Sequence, residues 1–451
     1  LFRSDPSGFI FEKKGVVYRQ VNNVFKDDFD FFISSQCYDH LVKKRLLIPH
    51  HIVPENLMCS NDWYVTLLPE KINFITYPYE WSFDMLRDAA LLTLQMVKEV
   101  IPYGLILKDA TPYNIQWHNG QLIFIDTLSF EKYNEAQPWI AYRQFCESFL
   151  GPLLLMYYSK KEIQELLLAY SDGVPLSVVK ALLPFKSRFS MHALLHIHLH
   201  ANVAKANKTK NSGIHFSKQK LLNIITSLET LVKQLKLPKQ NTTWSNYYEE
   251  ASTRNNYLEQ KKKIISEWID TLPDVKLVAD LGANEGEFSQ LAADKNIKTI
   301  AADFDAVCIN KLYNHIKLKE EKNIQPMVLD LSHPSPAIGV NNKERQSFIE
   351  RSHFDLVMGL ALIHHLSIGK NIPFQKVAIF FKQICKYLII EFVPKNDEKV
   401  QVMLSNKKDI YPDYTAENFV NAFTKHFTVI RQQIVADTSR ILFLMEKKSN
   451  S

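Results

Sequence analysis

Two stretches of this chain place polar side chains and glycines at spacings that can do chemistry. In the first, residues 276–289 (KLVADLGANEGEFS), an apolar run meets Asp280. A turn follows with Gly282, Ala283, Asn284 and Gly286, and then Phe288, Leu291 and Ala292 recur at helical spacing. That is strand, tight turn and helix start, the layout of a nucleotide-binding βα unit. Gly282 and Gly286 can take backbone angles closed to other residues and let a ligand approach the main chain. The helix beyond them offers free N–H groups and a partial positive charge to an anionic group. In the second stretch, residues 105–126, Asn119-Gly120 between apolar runs signals a hairpin. The hairpin returns Asp126 beside Asn114 and Asp109, and two acids with an amide at one hairpin base suit Mg²⁺ with nucleotide phosphates.

The first spacing is D-x-G-x-x-x-G, not the G-x-G-x-x-G of a pyrophosphate-binding turn, and it points to S-adenosylmethionine (SAM). The segment resembles motif I of class I SAM-dependent methyltransferases. Four later segments follow at βα spacing: 298–303 ending in Asp303, 327–331 with Asp330 and Leu331, 354–360, and 387–394 with Glu391. A carboxylate about 20 residues past the glycine turn can accept both ribose hydroxyls. The resemblance covers residues 276–445 and implies a doubly wound α/β, Rossmann-like, SAM-binding domain. It implies in-line attack on the sulfonium methyl, with the protein supplying mainly position. It assigns the 282–286 backbone, with Ala283, Asn284 and Phe288 in the motif, to the methionine end. Asp303 takes the ribose, Asp330 and Leu331 frame the adenine, and Asp280 orders the turn and the amino group. His364 and His365 follow the fourth strand. Either an imidazole accepts a proton from a hydroxyl, or one ring packs under the sheet edge and the other faces water. Glu391 is the second candidate for the base. The fourth strand does not end in [DNS]-P-P-[YFW], and no Pro-Cys follows it, which argues against DNA amino-methylation and 5-methylcytosine chemistry. The expected acceptor is an oxygen or nitrogen of a small molecule, glycan or metabolite, bound with help from the N-terminal part.

The order Asp109-x₄-Asn114…Asp126 resembles the catalytic loop and metal-binding Asp of kinase-like phosphotransferases, in particular small-molecule kinases of the aminoglycoside-phosphotransferase type. By that resemblance Asp109 is the base, and Asn114 and Asp126 hold Mg²⁺ with a nucleotide. It implies an α+β, kinase-like, mostly helical N-terminal domain, specific only over residues 109–126. The departures are plain: Leu107 stands where a His is usual, Asp126-Thr127-Leu128 replaces D-F-G, no glycine-rich loop appears in the first 80 residues, and Arg19 is the nearest cation to a strand lysine. An active kinase, a degenerate kinase-like domain and an unrelated helical domain with a hairpin all remain open. Taken together, Lys108-Asp109-Ala110, Tyr113-Asn114-Ile115-Gln116 and 125–131 (IDTLSFE), joined to a SAM domain, are similar to a group of bacterial methyltransferases that includes rhizobial nodulation host-specificity proteins. A bifunctional enzyme that also transfers phosphate and a non-catalytic interaction module are the rival functions.

The elements that must carry these residues are legible more coarsely. With 451 residues the chain needs two or three domains. We expect a small lobe over 1–80, a helical lobe with the hairpin over 81–237, a linker helix over 238–262 and the SAM domain over 263–451. The linker begins at PKQNTT and carries Trp244, Tyr247, Tyr248 and Tyr257. Short strands are expected near 9–11, 16–21 and 63–68, with one helix near 29–47, and residues 201–213 read as a lysine-rich loop. The net charge of +6 is spread along the chain and does not call for nucleic acid. Five separated cysteines with no C-x-x-C argue against a disulfide framework or zinc knuckle and for a cytoplasmic, reducing compartment. No stretch is long enough to span a bilayer and no signal peptide opens the chain; Leu1 in place of Met implies a trimmed start. His192, His196 and His200 share a helix face but lack an acid or cysteine partner, which favours a polar stripe over zinc. Lys261-Lys262-Lys263 reads as a solvated face, with steering of an anionic substrate as the alternative.

Overall fold

The computed structural model describes residues 5–135, 137–199, 217–238, 255–405 and 409–449. It divides into two compact units, Leu1–Lys239 and Gln240–Ser451. Residues Trp244, Tyr247 and Tyr248 and the 201–213 segment lie outside the described residues.

In the first unit, β1 (Gly8–Lys13) turns through Lys14 and Gly15, both at positive φ, into β2 (Val16–Asn22). With β3 (His50–Val53) and β4 (Trp63–Pro69) they make an antiparallel sheet in the order β1-β2-β4-β3. Between β2 and β3 run two helices, Lys26–Ser34 and Cys37–Lys43. The single helix expected near 29–47 is broken there, because Gln36 takes the left-handed conformation (φ 65°). The sheet closes over Val21, Phe25, Phe29, Leu67 and Leu128. β3 is a strand the pattern concealed: His50 and His51 carry no apolar alternation.

The long helix Phe83–Val100 buries Met85, Leu86, Ala89, Ala90, Leu94, Met96 and Val97. Next come β5 (Leu105–Leu107), the hairpin β6 (Ile115–His118) and β7 (Gln121–Phe124), and β8 (Phe130–Lys132), which pairs back onto β5. Asn119 (φ 48°) and Gly120 (φ 85°) both take positive φ at the hairpin tip, as a two-residue turn matched to strand twist requires. Helices fill the rest of this unit, ending with Lys218–Gln234.

The second unit is one seven-stranded sheet with helices on both faces. Its strands are β9 (Leu277–Leu281), β10 (Lys298–Asp303), β11 (Ile324–Val328), β12 (Phe354–Gly359), β13 (Cys385–Phe392), β14 (Phe427–Ile434) and β15 (Ile441–Lys447). Their spatial order is β11-β10-β9-β12-β13-β15-β14, parallel except for β15, which runs antiparallel to both β13 and β14. The chain reverses its direction of travel across the sheet between β9 and β12, so a crevice opens at their carboxyl ends.

Side chains on a strand alternate between faces. On one face Val278, Leu356, Met358, Tyr387 and Ile389 meet Ile264, Ile265, Trp268 and Ile269 of the helix Asn255–Asp270. On the other, Phe392 stacks near Phe374 and Phe419, with ring centroids 6.3 and 5.3 Å away. No helix of the described residues is long and apolar enough to cross a membrane. The five cysteines are free thiols, four of them buried.

The leading helix is held by its buried face, so Trp268→Ala should destabilise the second unit by about 3–5 kcal/mol. Denaturant unfolding followed on that unit's transition measures it. A loss below about 1 kcal/mol would mean the helix is not part of this core.

Candidate functional site

The glycine turn is built by backbone geometry. Gly282 (φ 86°), Asn284 (φ 53°) and Gly286 (φ 85°) all take left-handed angles. The N–H groups of Gly282 and Ala283 donate to the Ala302 carbonyl at 2.8 and 3.0 Å, fixing the turn to the end of β10. There Asp303 accepts from the Asn284 N–H at 2.8 Å and from the Asp305 N–H at 2.9 Å. Asp280, at the end of β9, accepts from Ser289 Oγ at 2.7 Å. Burial pushes both carboxyls up to about 6, against the hydrogen bonds each accepts. Asp303 is only 8% exposed. Asp303 is therefore joined directly to the glycine turn that Gly282 opens.

Asp330 lies two residues beyond β11, not in it. It accepts from the Ser332 N–H and Oγ at 2.8 and 2.6 Å and faces Lys370 at 3.6 Å. Burial opposes its charge, but these donors hold it below the ordinary carboxylate range. Leu331 beside it is half-buried. Phe288 sits in the core cluster against the leading helix, with the Lys261 ammonium 4.9 Å from its ring centre.

The opposite wall is the loop after β12. A Cβ on Gly282 would stand 3.6 Å from Leu362 Cδ1 and 3.9 Å from the Leu360 carbonyl, so the loop lies in van der Waals reach of the glycine turn. His364 is buried and its ring centre lies 4.0 Å from that of His365. Burial, then the neighbouring His365, Arg440 and Lys261, push His364 well below the usual imidazole range; burial and Arg440 bring His365 to about 4. Both rings are neutral at physiological pH. Among the described residues His364 Nδ1 and Ser367 Oγ have no hydrogen-bond partner.

Glu391 is fully buried. Its carboxylate takes Lys261 Nζ at 2.6 Å, Tyr257 OH at 2.9 Å and the Ala361 N–H at 2.7 Å. Burial opposes its charge, yet Lys261 and Arg440 hold its pKa below the ordinary value. Lys261 corrects the sequence reading: it is 2% exposed rather than solvated, while Lys262 pairs with Glu259 and Glu287 and only Lys263 is open to water. Its signal was positional. Tyr257, Lys261, Ile264 and Trp268 fall on one helical face, so this lysine had to be buried with that face.

In the first unit the three expected residues do converge. Asn114 Nδ2 donates to Asp109 Oδ2 at 3.2 Å and to Ser129 Oγ at 3.1 Å, and Gln144 Nε2 donates to Asp109 Oδ1 at 2.5 Å. Burial, then the charge of Asp126, pushes Asp109 up. Asp126 is in an ion pair with Arg19 of β2 and accepts from Ser129 Oγ and from the Leu128 N–H at 3.2 Å. Against burial, Arg19 holds it charged. The Asp126 carboxylate is engaged by Arg19, Ser129 and Leu128, so a metal ion at Asp126 would have to displace Arg19.

The histidine stripe is structural. His196 bonds Tyr142 OH and Ser227 Oγ, both at 2.8 Å, His192 bonds Ser227 Oγ at 2.9 Å, and His198 bonds Ser187 Oγ at 2.8 Å. His200 lies outside the described residues.

No profile of a known protein family matches the chain. It is 30% identical over 454 residues to nodulation protein NoeA of Rhizobium meliloti (strain 1021), across 98% of this chain and 94% of that protein. Among solved structures, magnesium protoporphyrin IX methyltransferase (ChlM) from Synechocystis PCC 6803 with bound SAH is 14% identical, with TM-score 0.31, over 44% of this chain and 87% of that one. A TehB-like SAM-dependent methyltransferase from Corynebacterium glutamicum ATCC 13032 Kitasato is 12% identical, with TM-score 0.30, over 46% and 100%. The strand order, not these overlaps, defines the fold of the second unit.

The raised carboxyls give a signed pH dependence. The stability that protonated Asp280 and Asp303 lend the folded unit is full below the ordinary carboxylate range and lost as pH rises through about 6. Hydroxyl donors to Asp303 favour its charged form. Titration calorimetry with SAM should therefore show affinity climbing from about pH 5 to about pH 7 and then levelling, with proton release at the acid end. A flat profile would mean no ligand donor reaches these acids.

Proposed function

The chain belongs to the family of nodulation protein NoeA, and we propose that its C-terminal unit, a doubly wound sheet with the glycine turn at its switch point, is a SAM-dependent methyltransferase acting on an oxygen or nitrogen of a small molecule, glycan or metabolite. The observation that carries the reading is the carboxylate of Asp303, buried at the end of β10 and hydrogen-bonded to the glycine turn where the sheet order reverses. In this reading its carboxylate would accept the ribose hydroxyls. The 282–286 backbone would hold the methionine end, Asp330 and Leu331 the adenine side. When bound, SAM supplies an electrophilic methyl group. This chain's own residues then need to place the acceptor and exclude water. Strong proton abstraction is not the task of His364 or His365, since bases held neutral this far below physiological pH take protons weakly. The Nδ1 atom of His364 is buried and has no hydrogen-bond partner among the described residues.

Calorimetry of the full chain with SAM should give a binding isotherm, and Gly282→Ala should weaken it at least about tenfold, because the turn needs a left-handed angle there. No heat from the wild-type chain at high concentration would remove the reading.

A second reading concerns the first unit. We infer a kinase-like fold, supported by the β1-β2-β4-β3 sheet with helices inserted after β2 and by the return of Asp126 to Asn114 and Asp109. In it Arg19 has taken the carboxylate a metal would need, so the unit does not transfer phosphate. Titrating Mg-ATP should give no heat. Binding with a Kd below about 1 mM that disappears in Asp126→Ala would overturn this.

A further inference from the structure

The helix that leads into the second unit carries one charged residue on its buried face. Lys261 sits between Tyr257 and the apolar positions Ile264, Ile265 and Trp268. A lone ammonium there would be costly to bury, and the structure answers it with Glu391, whose side chain has no exposure. Glu391 follows Tyr387 and Ile389 along the same face of β13, so strand alternation aims it at the helix. Arg440, from the turn between β14 and β15, donates to Tyr257 OH at 2.9 Å and to both oxygens of Asp397 at 2.8 and 3.0 Å. Two cations and two anions thus balance inside the unit.

The fourth contact of this network leads to the crevice. One oxygen of Glu391 accepts the N–H of Ala361, which is held at φ 49°, an angle that L-residues adopt at a cost. Ala361 lies between Leu360 and Leu362, the two residues that face Gly282, and three positions before His364. We propose that Lys261, Tyr257 and Glu391 form a buried strut that sets the post-β12 loop against the glycine turn. Glu391 is then a positioning residue acting through Ala361, and the helix Asn255–Asp270 belongs to the cofactor-binding machinery rather than to a linker. The inference rests on the methyltransferase reading for its consequence, not for its geometry.

The test uses the full chain with SAM as probe, and hydrogen exchange of the Ala361 amide as a local readout that does not depend on SAM. Glu391→Gln keeps the shape but removes the charge facing Lys261. It should speed Ala361 exchange and weaken SAM binding at least about tenfold under conditions where circular dichroism shows a folded chain. Tyr257→Phe, which keeps the ion pair and folds, should weaken binding by about threefold. Lys261→Met alone should act like Glu391→Gln, and the double variant Lys261→Met/Glu391→Gln should recover part of the affinity because no unpaired charge stays buried. Unchanged Ala361 exchange and unchanged SAM affinity in Glu391→Gln would overturn the strut and leave Glu391 as a candidate proton acceptor. If the wild-type chain does not bind SAM, the methyltransferase reading fails, while the exchange data still decide the strut.

Discussion

A lysine ammonium and a glutamate carboxylate, both withdrawn from water and 2.6 Å apart, set the geometry of the second unit. Neither tolerates burial alone: removing a charge from water costs several kcal/mol unless a partner and further hydrogen bonds replace the solvent. The pair therefore fixes where the helix Asn255–Asp270 can dock, because a small shift along the sheet would strand both charges. Apolar contacts from Ile264, Ile265 and Trp268 supply most of the favourable burial, but they are tolerant of sliding. The ion pair supplies register. Its other hydrogen bonds reach Tyr257 and, through Ala361, the loop opposite the glycine turn.

The first unit uses the same device in a different place. Arg19 projects from β2 and Asp126 from the end of the hairpin segment, and their ion pair joins the antiparallel sheet to the helical part of that unit. Ser129 and Asn114 extend it to Asp109. Asp109, Asn114 and Asp126 are adjacent, but Asp126 is held by Arg19, Ser129 and Leu128. Convergence of residue types is therefore not the same as an available site, since the state of each lone pair decides.

How much of this was readable in advance follows from the range of the interaction that decides each feature. The glycine turn, the alternation of strand and helix after residue 275 and the Asn119-Gly120 hairpin are local: a positive φ or a run of apolar residues announces itself within a few positions. The convergence of Asp109, Asn114 and Asp126 was legible because a hairpin of known length joins them. Lys261 was not, because three consecutive lysines look solvated until the helical phase is set by Ile264 and Trp268 and the partner appears 130 residues later. The ion pair of Arg19 with Asp126 has a similar separation, 107 residues. The antiparallel pair β14 and β15 was hidden for another reason. β14 presents mostly exposed residues and carries a bulge between Val429 and Arg431, so its alternation is blurred.

Three acids on the carboxyl side of one sheet make the division of labour visible. Glu391 is the most buried, yet its carboxyl is held below the ordinary range, because Lys261 and Arg440 stand beside it and Tyr257 and Ala361 donate to it. Asp280 and Asp303 are almost as buried, and burial prevails over what they accept, so both titrate near 6. A rise of this size corresponds to about 3 kcal/mol of unfavourable burial for each charged form. Asp280 feels the charge of Lys261, but burial and the nearby Asp303 outweigh it. The donors within the chain, Ser289 for Asp280 and the Asn284 and Asp305 N–H groups for Asp303, offset only part of the cost of burial. The two kinds of acid differ in their partners: Glu391 has cations beside it, while Asp280 and Asp303 rest mainly on hydroxyl and backbone N–H donors.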